Sequence, residues 1–116
     1  DVYKRQDIYR VTLPSKGETV LVNPYSFESR PLIHLNGNGT GTLTIDNENG
    51  RHEWTFSNID EFIEIDSEKM CFYKDNTLKN DTVTGTGFPL LVRGENRFIL
   101  GGGITDGSVF PRWCSL

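Results

Sequence analysis

From Thr19 to Trp113, apolar and polar residues alternate in short runs that Gly, Asn, Asp and Pro keep interrupting. A period of two is the repeat of a β-strand, whose successive side chains point to opposite faces, and the interrupting residues are those that turn a chain. The pattern predicts many short strands, no long helix and so an all-β fold. Candidate strands run Thr19 to Asn23, Pro31 to Asn36, Gly41 to Ile45, Arg51 to Phe56, Glu61 to Asp66, Lys69 to Tyr73, Asn96 to Leu100 and Ser108 to Trp113. Strands of this number and length suit an antiparallel two-sheet sandwich.

The same alternation assigns inward faces. Ile33 with Leu35, Leu43 with Ile45, Trp54 with Phe56 and Ile63 with Ile65 form the expected core rows. Burial of each such side chain contributes roughly 1.5–3 kcal/mol before chain entropy is subtracted, enough together for an independent fold. Asn36-Gly37-Asn38-Gly39 and Asp46-Asn47-Glu48-Asn49-Gly50 contain the residues that accept the positive φ of tight turns. Both are expected as hairpin turns, which would make the strands around Leu35, Leu43 and Trp54 a meander. Asp75 to Gly87 is polar and lacks an apolar period, so a surface loop is expected there.

A chain of 116 residues has room for one hydrophobic core. Its 24% charged and 35% apolar residues lie in the globular range. A formal charge of -4 supplies no basic field for phosphates, so nucleic acid is not an expected partner. No apolar run reaches the length that spans a bilayer, and no membrane association is expected.

Each motif that could carry chemistry has a simpler reading. Gly37-Asn38-Gly39-Thr40-Gly41 would need a following helix to cradle a phosphate, yet a Thr-rich strand follows; Gly101-Gly102-Gly103 is likewise expected as a turn. Asp60, Glu61, Glu64, Asp66 and Glu68 could suggest a glycosidase pair, with Glu64 and Asp66 on one strand face, but nothing nearby would raise a carboxyl pKa. They are expected to be solvated. His34 and His52 have no metal-ligand spacing and no nucleophile context. Cys71 and Cys114 form no CxxC pair and are expected as reduced thiols. The Asn38 and Asn80 sequons matter only in a eukaryotic secretory route. No catalytic, cofactor or metal residue is assigned, no cofactor is expected, and the chain reads as a non-enzyme.

Asp1-Val2-Tyr3-Lys4-Arg5-Gln6 carries no strand pattern and is expected to be a tail. One codon choice for it resembles the transposon end that tagmentation attaches to DNA fragments, so it reads as translated adapter, with the natural chain continuing upstream of Asp7. Residues 7–18 then read as a lead-in and 19–116 as the sandwich domain.

Several short strings occur in a telling order: Phe27-Glu28-Ser29-Arg30-Pro31-Leu32-Ile33, Gly41-Thr42-Leu43-Thr44-Ile45, Asn58-Ile59-Asp60-Glu61-Phe62-Ile63-Glu64-Ile65-Asp66-Ser67-Glu68, Tyr73, Phe88-Pro89-Leu90-Leu91, Gly94-Glu95-Asn96 and Pro111-Arg112-Trp113. Over residues 19 to 113 this order resembles the C-terminal domain of siphophage distal tail proteins. The resemblance implies a galectin-like sandwich from a virion tail tip, made in the host bacterial cytoplasm, joining the tail tube to the baseplate and host-attachment apparatus. It implies other tail and baseplate proteins as partners, a hexamer for the whole protein through a ring half absent from these residues, and a monomer for this fragment. A carbohydrate-binding module is the alternative reading. His34-Leu35-Asn36 begins the galectin sugar motif, but Asn38 stands where its Arg would be, and fold likeness alone does not license function. Trp54 is expected mainly in the core.

Overall fold

The computed structural model describes residues 4–6, 10–13, 18–74, 77–79, 82–85 and 87–115, with the backbone alone at 4–6 and 113–115. The fold is antiparallel and all-β, with no α-helix among the described residues. Its strands are β1 (Lys4–Gln6), β2 (Val11–Leu13), β3 (Glu18–Asn23), β4 (Leu32–Asn47), β5 (Gly50–Asp66), β6 (Cys71–Lys74), β7 (Thr77–Leu78), β8 (Val83–Thr84), β9 (Gly94–Phe110) and β10 (Trp113–Ser115).

Three of these strands are far longer than the alternation predicted. β5 has 17 residues, which fully extended would span about 56 Å, yet the longest dimension of the molecule is 40 Å. It must bend, and so must β4 and β9 beside it. The irregularities lie at one level: the β4 register shifts between Asn36 and Gly41, Asn58 and Glu61 in β5 have φ of 57° and 72°, and Gly102 in β9 has φ of 63°. Below this level, Leu32–Asn36 pairs with Phe62–Asp66 and Asp106–Phe110; above it, Gly41–Asn47 pairs with Gly50–Phe56.

The bent strands make two layers of one continuous ladder. β2, β6 and β7 widen the first layer, and β3 and β8 the second. Ile33, Leu35, Ile63, Ile65 and Val109 from one layer and Leu43, Ile45, Trp54, Phe56 and Phe98 from the other share a single core cluster. The expected core rows are all buried. Aromatic contacts extend the core: Phe72 meets Phe56 edge-on at 6.1 Å and stacks on Phe88 at 4.8 Å.

The expected hairpin at Asn36-Gly37-Asn38-Gly39 is therefore corrected: β4 runs straight through it, and the glycines serve the bend. Gly101-Gly102-Gly103 is likewise no turn but the middle of β9. The predicted meander falls with these, because β4 lies between β9 and β5. Turn chemistry alone could not distinguish a reversal from a bend, since both need positive φ and close backbone approach. The close approach is explicit here. A Cβ on Gly103 would run into the carbonyl oxygen of Asn38, and one on Gly37 into that of Gly103. Gly103→Ala is expected to lower unfolding free energy by about 1–3 kcal/mol through this overpacking, as measured by urea denaturation.

The Asp46 to Gly50 turn forms as predicted: Asn47 and Gly50 pair, and the Asn49 amide donates to Asn47 Oδ1 at 2.9 Å. Three segments hold more structure than expected. Lys4–Gln6, read as a tail, pairs with β10. Val11–Leu13, in the expected lead-in, pairs with β9 and buries Leu13 fully. The expected loop from Asp75 to Gly87 contains β7 and β8; its residues 75, 76, 80, 81 and 86 lie outside the described residues.

Candidate functional site

Because Ile33 and Leu35 face the core, His34 and Asn36 must face outward. Register then sets their neighbours: Ser108, His34, Glu64 and Tyr73 form one row across β9, β4, β5 and β6, while Asp106, Asn36 and Phe62 form the next. His34 Nε2 lies 3.0 Å from Asn36 Oδ1, and Asn36 Nδ2 donates to Asp106 at 2.9 Å. His34 Nδ1 lies 3.5 Å from Glu64, and its ring stacks on Phe62 at 4.8 Å. Lys74 Nζ sits 5.3 Å from the Phe62 ring centroid and pairs with Asp60 at 3.4 Å. Burial, helped by the charges of Glu64 and Asp66, pushes the Tyr73 phenol up. The result is a shallow polar face around one aromatic ring, able to hydrogen-bond a polar ligand.

The acidic run does not act as a unit. Glu64 is part-exposed beside His34, and Glu64→Ala is expected to change unfolding free energy by roughly 0–1 kcal/mol, read from the urea midpoint. Asp66, expected to be solvated, is buried instead. Its Oδ1 accepts from the amides of Glu68 and Lys69 at 3.1 and 3.2 Å and from Arg112 Nη1 at 2.7 Å, and Arg112 Nη2 reaches Oδ2 at 3.3 Å. Burial alone would raise the carboxyl, but the Arg112 hydrogen bond, the Lys69 amide and the nearby positive charges outweigh it and hold the pKa below its ordinary value. A general acid needs the opposite shift. Arg112 was the missing signal: an Arg inside the last predicted strand, 46 residues from its carboxylate.

Asparagines carry the other networks that the alternation did not reveal. Asn96 is fully buried: its Nδ2 donates to the carbonyls of Leu21, Val92 and Gly94, and its Oδ1 accepts from the Val92 amide and Asn47 Nδ2. Asn23 Nδ2 donates to the carbonyls of Phe27 and Leu91. Together with the Ser29 to Leu91 bridge, these bonds tie the irregular segments 24–31 and 87–93 to the sandwich.

Two surface clefts lie by the β4–β5 hairpin. One, of about 300 Å³, is lined by Ile45, Trp54, Phe88 and Leu90 with Asn47, Asn49 and His52 at its polar positions. Trp54 is almost wholly buried there and donates from Nε1 to the Gly87 carbonyl at 3.1 Å. The other, of about 390 Å³, is lined by Asp46, Asn47, Glu48, Glu95 and Arg97. Asn38 is exposed, with its Oδ1 accepting from the Glu61 amide. Cys71 is a half-buried free thiol, whereas the side chains of Cys114 and Trp113 and the Asn80 sequon lie outside the described residues. Among the described residues, no group of three or more His, Cys, Asp or Glu could hold a metal ion. No family model, curated protein or solved structure matches the chain.

Proposed function

We propose that this chain is a non-catalytic docking module, the C-terminal sandwich of a distal tail protein that links a siphophage tail tube to the host-attachment apparatus. One observation carries the reading. The strings behind the resemblance meet in space as architecture: Arg112 of Pro-Arg-Trp grips Asp66 of the Glu-Ile-Asp string, while Ser67 donates its amide to the Pro31 carbonyl. Such polar contacts hold the start of β4 and the end of β5, where the chain enters and leaves the interior of the sheet. On this reading the whole protein is a hexamer in the virion tail tip, and this fragment is a monomer contacting other tail and baseplate proteins. Recovering the gene with its neighbours tests it: a tape-measure gene upstream and a tail lysin gene downstream support the reading, and a locus without tail genes sinks it.

A carbohydrate-binding module is the second reading, favoured by the outward His34 and Asn36 beside Glu64 and Phe62. A glycan array with the purified chain separates the two. Saturable binding that is lost in Asn36→Ala promotes the sugar reading.

A further inference from the structure

The chain holds three Asn-Gly pairs, at residues 36–37, 38–39 and 49–50. In such a pair the glycine amide nitrogen can attack the side-chain carbonyl carbon of the asparagine and close a five-membered imide, because glycine has no Cβ to shield its nitrogen. The reaction needs a side chain free to turn back and an amide free to leave its ladder bond. Asn36 meets neither need. Its Nδ2 donates to Asp106 at 2.9 Å, and its Oδ1 lies 3.0 Å from His34 Nε2. Gly37 is buried in the middle of the sheet, paired with Glu61 on one side and Ile104 on the other, and a Cβ there would run into the Gly103 carbonyl. Asn38 is exposed, but its Oδ1 accepts from the Glu61 amide at 3.2 Å and Gly39 pairs with Ile59. Asn49 differs from both. It is exposed at the tip of the β4–β5 hairpin, and its side chain makes no hydrogen bond among the described residues. Gly50 has φ of 107° and nothing within 4 Å of where a Cβ would stand. Among the described residues it pairs only with Asn47, at the last rung of the ladder. A terminal rung opens at far lower free energy than the middle of a central strand.

We propose that Asn49 is a site of spontaneous deamidation in the folded chain. The Gly50 nitrogen gives up its proton to solvent and bonds to Asn49 Cγ, and Nδ2 takes up a proton and leaves as ammonia. Water then adds to the imide. Cleavage of the new bond between Cγ and nitrogen gives aspartate, whereas cleavage of the original peptide bond gives isoaspartate, whose main chain runs through Cβ and Cγ. The net change is one water consumed and one ammonia released. Either product puts a carboxylate on the wall of the 300 Å³ cleft that Asn49 lines with Asn47 and His52, and adds one negative charge to the formal -4. Glu48 is next to it in sequence, so the hairpin tip becomes more acidic. Isoaspartate also adds a main-chain atom to the turn, and turn length is what sets the Asn47 to Gly50 register. The site stands on the hairpin alone and is independent of the docking reading.

The test incubates the full chain in mildly alkaline buffer made with ¹⁸O water, once folded and once in urea, with far-UV circular dichroism reporting the state of each sample. Peptide mass spectrometry with fragmentation follows the three pairs and separates aspartate from isoaspartate. In the folded chain Asn49 is expected to convert at least about tenfold faster than Asn36, with Asn38 between them, and to give both products. In urea the three rates should converge, because the same chemistry then lacks its local restraints. Faster conversion at Asn36 or Asn38, no conversion at Asn49 in the folded chain, aspartate as the sole product, or the same ranking folded and in urea overturns the proposal.

Discussion

Asn96→Ala is expected to lower unfolding free energy by roughly 3–5 kcal/mol. The side chain satisfies one buried amide and three carbonyls and receives a further bond from Asn47. Each buried polar group left without a partner costs about 1–3 kcal/mol, and some of these carbonyls will recover water or a ladder bond, which bounds the sum. Asn96→Asp keeps the shape but turns three donated bonds into contacts between oxygens, so it is expected to destabilise at least as much as Ala. Equilibrium urea unfolding of the wild type and both variants measures this. A loss below about 1 kcal/mol for Ala would mean that segment 87–93 is held by Leu91 burial and the Ser29 bridge instead.

Asp66→Ala is expected to cost about 3–5 kcal/mol, because it leaves the largely buried Arg112 guanidinium without its carboxylate. The Glu68 carboxylate, 3.7 Å from Arg112, is a partial substitute that sets the loss toward the lower end. Replacing both partners, as in Asp66→Leu with Arg112→Met, should recover much of the loss, since no buried charge then lacks a partner. The pair also fixes a pH dependence. The folded pKa of Asp66 lies below the ordinary 3.8, so the folded state holds this proton less tightly than the unfolded chain. The contribution is fully present above the unfolded pKa and is lost as pH falls through the folded value. Unfolding free energy measured from neutral pH to below pH 3 should therefore decline more steeply in the wild type than in Asp66→Asn across the range below about pH 4.

Asn96 and Asp66 occupy positions that the alternation treated as ordinary strand or turn polar groups. Asp66 lies one residue after buried Ile65 in an acidic run, and nothing local distinguishes it from part-exposed Glu64. Only the return of the chain from Phe110 through Pro111 brings Arg112 over it. Asn96 likewise reads as the first residue of an ordinary strand, Asn96 to Leu100. Its burial depends on Leu21, 75 residues away, which no local pattern can register. The outward pair His34 and Asn36 was legible, because an apolar residue on either side of His34 sets its face, but Phe62 and Glu64 became its neighbours through the β4–β5 register.

What the amino-acid order determined by itself was the fold class and the inward rows. Period-two alternation acts over a few residues, and burial of those rows is the dominant favourable term whichever way the strands connect. The tertiary structure decided whether each Gly-rich break reverses the chain or bends it. A single Gly or Asn satisfies either, and the choice depends on pairing partners: Gly37, Gly41, Gly102 and Gly103 lie against one another across β4 and β9 and let both strands pass between layers.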